Sequence, residues 1–279
     1  MKQERTCFVA VAHQDDWQLF MGSDVCAHIR DPHCNVVIVV ATAGNGKHGD
    51  YHWKSRLSGA VLSVCRALPS WSPYALNHRE APGLPSGFSV SHERTSAAGK
   101  HVLRCEIRAN AGLGATLYFL HIPEPLSGLH DAAPVTPLWP EDAPAYGSWS
   151  EFVGTLESIL LEEARGAEEP MAVHAADPDP SANPDDHADH TLTSQAVREI
   201  ANRHRQFRPV WYSTYSNRHK PENIDGSQAD DQRSAIYAYG GGYMATAAGF
   251  GETWRTGWER EYPVFKGRQY PKEHPETGD

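Results

Sequence analysis

The sequence predicts an α/β fold in which a Rossmann-like, mostly parallel sheet is flanked by helices and interrupted by a β-hairpin and a long proline-rich loop. Apolar segments of strand length alternate with longer segments whose apolar residues recur at helical spacing, which is typical of strands covered by helices. Residues 35–42 are almost all β-branched, as expected for a parallel strand covered on both faces. Parallel strands joined by helices account for both observations.

The first third of the chain predicts a unit of two strands and two helices. Trp17, Phe20 and Met21 begin a helical pattern after the first strand, and Trp53 and Leu57 share one face of the next helix. A glycine-rich loop precedes that second helix. In chain order the predicted elements are strand 6–12, helix 17–29, strand 35–42, loop 42–50 and helix 51–68.

The middle of the chain, about 69–148, predicts an irregular insertion. Two alternating segments, 101–108 and 115–122, flank a glycine-containing turn and predict a β-hairpin. Six prolines exclude a helix over 123–148. Three aromatic residues in or beside this loop either pack it down or line a site: Trp139, Tyr146 and Trp149.

Regular alternation resumes after the insertion. The predicted elements are helix 149–165, strand 171–176, acidic loop 177–190, helix 191–205, strand 209–215 and helix 228–239. An irregular aromatic tail follows over about 245–279. No internal repeat or linker divides the chain, so we expect residues 1–279 to form a single domain.

Composition excludes several classes of function. The net charge is −10 and no Lys/Arg-rich block occurs, so a nucleic-acid partner is not expected. No apolar run approaches the roughly 20 residues of a membrane span, and the N-terminus lacks a signal peptide's apolar region, so we expect a cytoplasmic protein without membrane attachment. The five cysteines form no CxxC pair, which predicts reduced thiols rather than disulfides or a thiolate metal site. The oligomeric state is open, a homo-oligomer included.

Two polar segments follow predicted strands at the sheet edge where ligands collect. His13, Asp15 and Asp16 come directly after the first strand, and residues 185–190 precede the helix near 191. Acids at such positions also cap helices, a contribution of about 1 kcal/mol, but the adjacent histidines favour a shared metal. Three His and Asp ligands with an open fourth position are typical of catalytic zinc, which lowers the pKa of its bound water to about 7.

These segments resemble the motifs of the LmbE/PIG-L family of zinc-dependent N-deacetylases. Residues 12–16, AHQDD, are similar to the family's AHPDD motif, and residues 187–190, HADH, match its HxDH motif. Further likenesses follow in the family's order: the T-x-G loop at 42–44, the W-x-x-R-x-x-G-A helix at 53–60, the F-L-x-L-P-D segment at 119–124 and the Y-x-N stretch at 215–217.

The resemblance implies a role for each matching residue. His13, Asp16 and His190 are expected to bind one Zn²⁺ ion, although nickel, cobalt or iron suits the same ligands. Asp15 is expected to act as general base on the zinc-bound water and then as general acid toward the leaving amine. His187 is expected to stabilise the oxyanion or to assist protonation, with Asp189 orienting it. Arg56 and Glu124 are expected to contact the substrate.

The implied activity is removal of an N-acetyl or other acyl group from an amino sugar, or from a small molecule that contains one. The alternatives are an amidase for a larger thiol or peptide-like amino-sugar conjugate, and a non-catalytic sugar-binding protein. The loop Gly44-x-Gly46-x-x-Gly49 also invites comparison with nucleotide-dependent oxidoreductases, but it follows the second strand and lacks their matching acid. Two departures from the family motifs are Gln14, in place of proline, and Glu124, in place of aspartate.

Overall fold

A mixed sheet of eight strands forms the centre of the protein in this computed structural model, which describes residues 5–46, 48–68, 88–109, 113–131, 133–251 and 262–273. The strands are β1 (Arg5–Val11), β2 (Cys34–Thr42), β3 (Phe88–Ala97), β4 (Lys100–Ala109), β5 (Gly114–Ile122), β6 (Met171–Ala176), β7 (Phe207–Tyr212) and β8 (Pro271–Glu273). Their order across the sheet is β3-β4-β5-β2-β1-β6-β7-β8.

Helices flank the sheet, so the predicted α/β class is confirmed. They are α1 (Asp16–Phe20), α2 (Gly22–Ile29), α3 (Asp50–Ala67), α4 (Trp149–Glu163), α5 (Ala188–Arg203) and α6 (Gly226–Gly249). Short 3₁₀ helices occupy Leu126–His130, Tyr215–His219 and Tyr262–Phe265. Among the described residues, no helix combines the length and apolarity that crossing a membrane requires.

The five central strands are parallel. Starting from β1 at the middle, the chain adds strands first on one side of the sheet and then on the other. The chain passes from β1 to β2 and β5 on one side, and β6 followed by β7 lies on the other. The order therefore reverses between β1 and β6, the position where parallel sheets open a crevice beyond the strands' carboxyl ends. The edges are antiparallel, because β4 pairs with β5 as the hairpin prediction requires, β3 pairs with β4, and β8 pairs with β7.

The sheet packs a separate apolar core on each face, because side chains alternate along every strand. In β1, Val9 and Val11 enter one core with α1, α2, α3 and α6, whereas Phe8 and Ala10 enter the other with α4 and α5. β2 is buried from Val36 onward. Its β-branched composition thus reflects burial on both faces, as predicted.

Helices α3 and α6 cross with their backbones in close contact. A Cβ on Gly59 would lie 2.8 Å from the carbonyl oxygen of Tyr239, and a Cβ on Gly242 would lie 2.8 Å from that of Ser58. Glycine therefore permits this crossing. The same glycines weaken the helical signal of the sequence, and α6 extends to Gly249, past the predicted end at 239.

Three further features differ from the sequence-based expectation. The helix predicted over 17–29 is two helices that meet at Met21. Strand β3 is not predicted, because its alternating polar residues offer a weak apolar face and it forms by pairing with β4. The C-terminal tail supplies the 3₁₀ helix at Tyr262–Phe265 and the edge strand β8.

The aromatic residues of the proline-rich segment pack this segment onto the protein. Tyr146 is fully buried in the core beneath α4, and Trp139 packs against the opposite core. Trp149, the first residue of α4, donates a hydrogen bond from Nε1 to Glu199 at 2.9 Å. None of these three aromatic residues lines the cleft described below.

Candidate metal centre

The two predicted metal-binding segments meet at the point where the strand order reverses. His13 lies in the tight turn after β1, and its backbone N–H donates to Oδ2 of Asp16 at 2.7 Å. Asp16 is the first residue of α1. His190 lies in the first turn of α5, which follows β6. The sheet topology therefore brings residues from distant parts of the sequence to one position, as the sequence predicts.

Three donor atoms converge there. Nδ1 of His13 lies 3.0 Å from Nε2 of His190 and 3.4 Å from Oδ1 of Asp16, and the last two atoms are 3.1 Å apart. All three residues are buried. For bonds of about 2.0–2.1 Å, the edges of a tetrahedron around zinc are about 3.3–3.4 Å long. The spacing of these atoms thus fits three corners of a tetrahedral zinc site.

Hydrogen bonds at the opposite ring nitrogens fix which nitrogens carry lone pairs. Nε2 of His13 lies 2.8 Å from Oε1 of Glu124, and Nδ1 of His190 lies 2.7 Å from Oδ1 of Asp186. A carboxylate only accepts, so each of these nitrogens is the donor. In neutral imidazoles, Nδ1 of His13 and Nε2 of His190 then carry lone pairs that face each other. A carboxylate that orients a ligating histidine in this way is typical of metal sites.

The electrostatics of the cluster favour positive charge at this point. Burial alone would lower the pKa of His13, but Asp16 and Glu124 raise it to about 9. Burial likewise opposes protonation of His190, yet Asp16 and Asp186 hold its pKa well above the ordinary value. Burial would raise the pKa of Asp16, whereas the two histidines lower it well below its usual range. Positive charge at this point therefore stabilises the buried carboxylates, and either a bound metal ion or protons on the histidines can supply it.

Asp189 adds to this negative charge and lies behind the histidines. It is completely buried, and its Oδ1 accepts a hydrogen bond from the backbone N–H of Leu126 at 2.8 Å. Its Oδ2 has no hydrogen-bond partner among the described residues and lies 4.0 Å from Nε2 of His13. His13, His187 and Asp189 form an overlapping group of potential ligands. In that group Oδ2 of Asp189 lies 3.7 Å from Nδ1 of His187 and 4.0 Å from Nε2 of His13, so the first group, with its shorter distances, fits a metal better.

Asp15 stays outside the three-atom donor set. Its Oδ1 accepts a hydrogen bond from Nη2 of Arg56 at 2.5 Å, and its Oδ2 accepts one from the hydroxyl of Tyr262 at 2.5 Å. Although Asp15 precedes α1, its side chain makes no capping hydrogen bond. The helix-capping interpretation therefore does not apply to Asp15. The two adjacent acids, Asp15 and Asp16, have different partners.

Gln14, which replaces the proline of the family motif, connects three parts of the site. Its Nε2 donates to the carbonyl oxygen of Ala43 at 2.8 Å, and its Oε1 accepts from Nε of Arg56 at 2.9 Å. Gly44 has a φ of +59°, and a Cβ there would lie 2.5 Å from both Arg56 and Gln14. The glycine thus makes room for a contact through which Gln14 holds Arg56 beside Asp15.

His187 stands at the start of α5 with one ring nitrogen engaged. Its Nδ1 accepts a hydrogen bond from the backbone N–H of Asp189 at 3.3 Å, so it caps the helix. The carboxylate of Asp189 is 3.7 Å from the same nitrogen. Burial, and after it the neighbouring His13, lower the pKa of His187. A neutral ring with Nδ1 as acceptor carries its proton on Nε2, which is therefore a hydrogen-bond donor.

A cleft of about 220 Å³ opens beside the three donor atoms. Six of the eight predicted site residues line it, whereas Asp189 and His190 lie behind its wall. The lining also includes residues that the sequence analysis did not single out: Leu19, His48, His52, Tyr215 and Tyr262.

Glu124 and Asp186 make contacts that the sequence does not predict. Glu124, which also lines the cleft, bonds His13 and accepts from the backbone N–H of Gly46 at 2.9 Å. Burial would raise the pKa of Glu124, but His13 lowers it to about 2. The sequence does not single out Asp186 as a site residue, although a residue four positions before His190 is close enough to contact it. The Gly46 amide, which a phosphate would need in a dinucleotide loop, is already bound by Glu124.

Comparison with protein-family models, curated proteins and solved structures finds no match to this chain. The geometry of the site and the motifs of the sequence therefore carry the functional conclusion.

Proposed function

We propose that the protein is a zinc-dependent hydrolase that removes an N-acetyl or other acyl group from an amino sugar, or from a small molecule that contains one. The observation that carries this proposal is the convergence of His13, Asp16 and His190 beside an acid, Asp15, that is not part of their donor set. A binding protein needs metal ligands, whereas a hydrolase also needs a separate proton acceptor.

The donor atoms of His13, Asp16 and His190 are of the kinds that bind zinc. Two imidazoles and one carboxylate are ligands that zinc accepts in catalytic sites, and Glu124 and Asp186 orient the imidazoles. A zinc ion held by these residues would act as a Lewis acid and lower the pKa of water to about 7. Because nickel, cobalt or iron suits the same ligands, the choice of zinc as the resident metal rests on the family resemblance.

The side chains around the donor atoms supply the proton transfers. Asp15 takes a proton from the attacking water and later returns it to the leaving amine. Arg56 and Tyr262, which bond its two oxygens, hold the carboxylate in place. His187 donates from Nε2 to the developing oxyanion of the amide. Its half-buried ring at the cleft wall supports this assignment.

The substrate class rests on the motif resemblance, and the cleft is compatible with it. Polar side chains dominate the cleft wall, among them His48, His52 and Arg56, which can bond sugar hydroxyls. The five parallel strands and the reversal of their order between β1 and β6 support a Rossmann-like classification of the sheet. A larger amino-sugar conjugate is the alternative substrate: Trp139, Tyr146 and Trp149 do not line the cleft, but Tyr262 of the C-terminal segment does.

Acetate release together with zinc content tests this proposal. Protein reconstituted with zinc is assayed against a panel of N-acetylglucosaminyl compounds, beside the Asp15→Asn variant and a chelator-treated sample. We expect acetate release that needs both zinc and Asp15. Full activity of Asp15→Asn on the same substrate, or zinc-loaded protein that releases no acyl group from any member of the panel, would sink the proposal.

A further inference from the structure

A second cluster of metal-binding side chains lies away from the cleft, beneath α2. Cys7 of β1, His28 of α2 and His174 of β6 each offer one donor atom, and these atoms lie within 4.8 Å of one another. Cys34, at the start of β2, lies close enough to this group that Cys7 first, and then His28, lower the pKa of its thiol. The sequence gives no sign of this cluster, because its members are far apart in the chain and contain no CxxC pair.

The position of the cluster separates it from the candidate catalytic centre. Cys7 is the third residue of β1, and Cys34 is the first residue of β2. Both therefore lie toward the amino ends of these parallel strands, whereas His13 follows the carboxyl end of β1. The two clusters share no residue.

A chain of hydrogen bonds orients His174 in this cluster. The hydroxyl of Tyr212 donates to Oδ2 of Asp24 at 2.5 Å, because a carboxylate only accepts. Tyr212 must then accept from Nδ1 of His174, which lies 2.8 Å from its oxygen. In the neutral ring that a buried site favours, Nε2 of His174 carries a lone pair. Carboxylate-linked orientation of a histidine is the arrangement seen around metal ligands.

Nε2 of His174 lacks a hydrogen-bond partner among the residues that the structure describes, although His174 is only 4% exposed. Leaving a buried polar atom unpaired costs about 1–3 kcal/mol. The ring of His28 lies 5.2 Å from that of His174, centroid to centroid. An ion bound between these rings and the thiols would satisfy the unpaired nitrogen.

We propose that Cys7, Cys34, His28 and His174 form a second metal site, which binds a zinc-type divalent transition metal through two sulfur and two nitrogen donors. Two thiolates and two imidazoles are a typical donor set of structural zinc, and their softness disfavours magnesium and calcium. Zinc–ligand bonds of about 2.0–2.3 Å separate tetrahedral ligands by about 3.3–3.8 Å. The donor atoms of Cys7, His28 and His174 lie within 4.8 Å of one another, so three of the four donors are already gathered near that spacing.

The proposed ion would connect α2 to three neighbouring strands of the sheet. β2, β1 and β6 are adjacent and carry Cys34, Cys7 and His174, respectively. Two of the donors, His28 on α2 and Cys34 on β2, are half-buried, whereas Cys7 and His174 are buried. A site closed by four protein ligands has no open position for substrate, so its role is structural.

Cobalt titration of reduced, chelator-treated protein tests this site separately from the catalytic centre. Cobalt bound to thiolate gives an intense near-ultraviolet charge-transfer band, which cobalt bound only to nitrogen and oxygen lacks. We expect the wild-type protein to show this band and to bind about one more cobalt ion per chain than Cys7→Ser. His13→Ala should keep the band while losing the ion at the other centre.

Two further variants control for misfolding and for cobalt binding by thiols outside the cluster. His28→Gln changes a half-buried donor. It should weaken binding of the cobalt ion that gives the band, while the circular dichroism spectrum stays that of the wild type. Cys105→Ser, a buried cysteine of β4 outside the cluster, should leave the band unchanged. The proposal is overturned if the reduced wild-type protein shows no band, if the band survives in both Cys7→Ser and Cys34→Ser, or if only the His13-dependent ion is bound.

Discussion

Nδ1 of His13 and Nε2 of His190 lie 3.0 Å apart, although 177 positions separate the two residues in the chain. Each imidazole uses its other nitrogen to donate to a carboxylate, so in the neutral form two lone pairs face each other with Oδ1 of Asp16 beside them. Such an arrangement is unfavourable unless a cation lies among the three atoms. A metal ion bound by these three atoms would make the close approach favourable.

The two adjacent acids give the sharpest contrast between metal binding and catalysis. Asp16→Asn should lower zinc affinity and activity together, because it weakens a ligand. Asp15→Asn should retain zinc and lower kcat by about 10²–10⁴-fold, the usual contribution of a general base. Metal analysis and acyl-release kinetics on both variants check this prediction. Loss of zinc from Asp15→Asn, with Asp16→Asn unaffected, would reverse the assignment.

Asp186 should increase the affinity of the site for the metal without being a ligand itself. Asp186→Asn removes the charge from the carboxylate that bonds Nδ1 of His190, and changes of this kind cost about 10–100-fold in metal affinity. Competition with a zinc chelator measures the affinity. Asp185→Asn is the matched control, because the neighbouring carboxylate is exposed and should leave affinity unchanged. Equal affinities of the two variants would contradict the orienting role.

Gln14 should act as a positioning residue. Gln14→Leu leaves the carbonyl oxygen of Ala43 and the Nε of Arg56 without a partner, at a cost of about 1–3 kcal/mol in the free energy of unfolding. We expect lower kcat with unchanged zinc content, since Arg56 then holds Asp15 less firmly. Denaturant unfolding and steady-state kinetics provide the readouts. Gln14→Glu, which keeps the acceptor for Arg56, should recover part of the turnover; no difference between the two variants would refute the role.

Tyr262 connects the C-terminal segment to the proposed base. Tyr262→Phe removes the hydroxyl that bonds Oδ2 of Asp15. We expect kcat to fall by about tenfold, the loss of roughly one hydrogen bond to a charged group, without a change in zinc content. Tyr237→Phe is the control, because that exposed hydroxyl bonds Lys266 away from the cleft. Equal kcat values for Tyr262→Phe and wild type would show that the tail only packs against the site.

The sequence predicts the fold where apolar pattern and burial coincide. β1, β2 and β6 are recognisable because these parallel strands are buried on both faces along most of their length. β3 is not recognisable, because an edge strand with alternating polar residues takes its structure from its neighbour. The length of α6 is also missed, since Gly242 disfavours a helix locally yet permits the close crossing with α3.

The candidate site is predictable as far as it depends on chain position. His13 and Asp16 follow from the polar segment at the carboxyl end of β1, whereas the choice of His190 in the second segment comes from its resemblance to the HxDH motif. The partners of these ligands follow from neither, because the contact of His13 with Glu124 depends on how two loops fold over each other. Tyr262 gives no signal at all, since it reaches Asp15 from 247 positions away.

Bound zinc in the wild-type protein and in His190→Ala tests the central claim most directly. Both proteins are stripped with a chelator, reconstituted with zinc and desalted, and the zinc per chain is measured by mass spectrometry. The wild-type protein should retain about one zinc ion more than His190→Ala, and His204→Ala, whose ring bonds Glu157 outside the site, should match the wild type. Equal zinc contents in the wild-type protein and His190→Ala would contradict the metal centre.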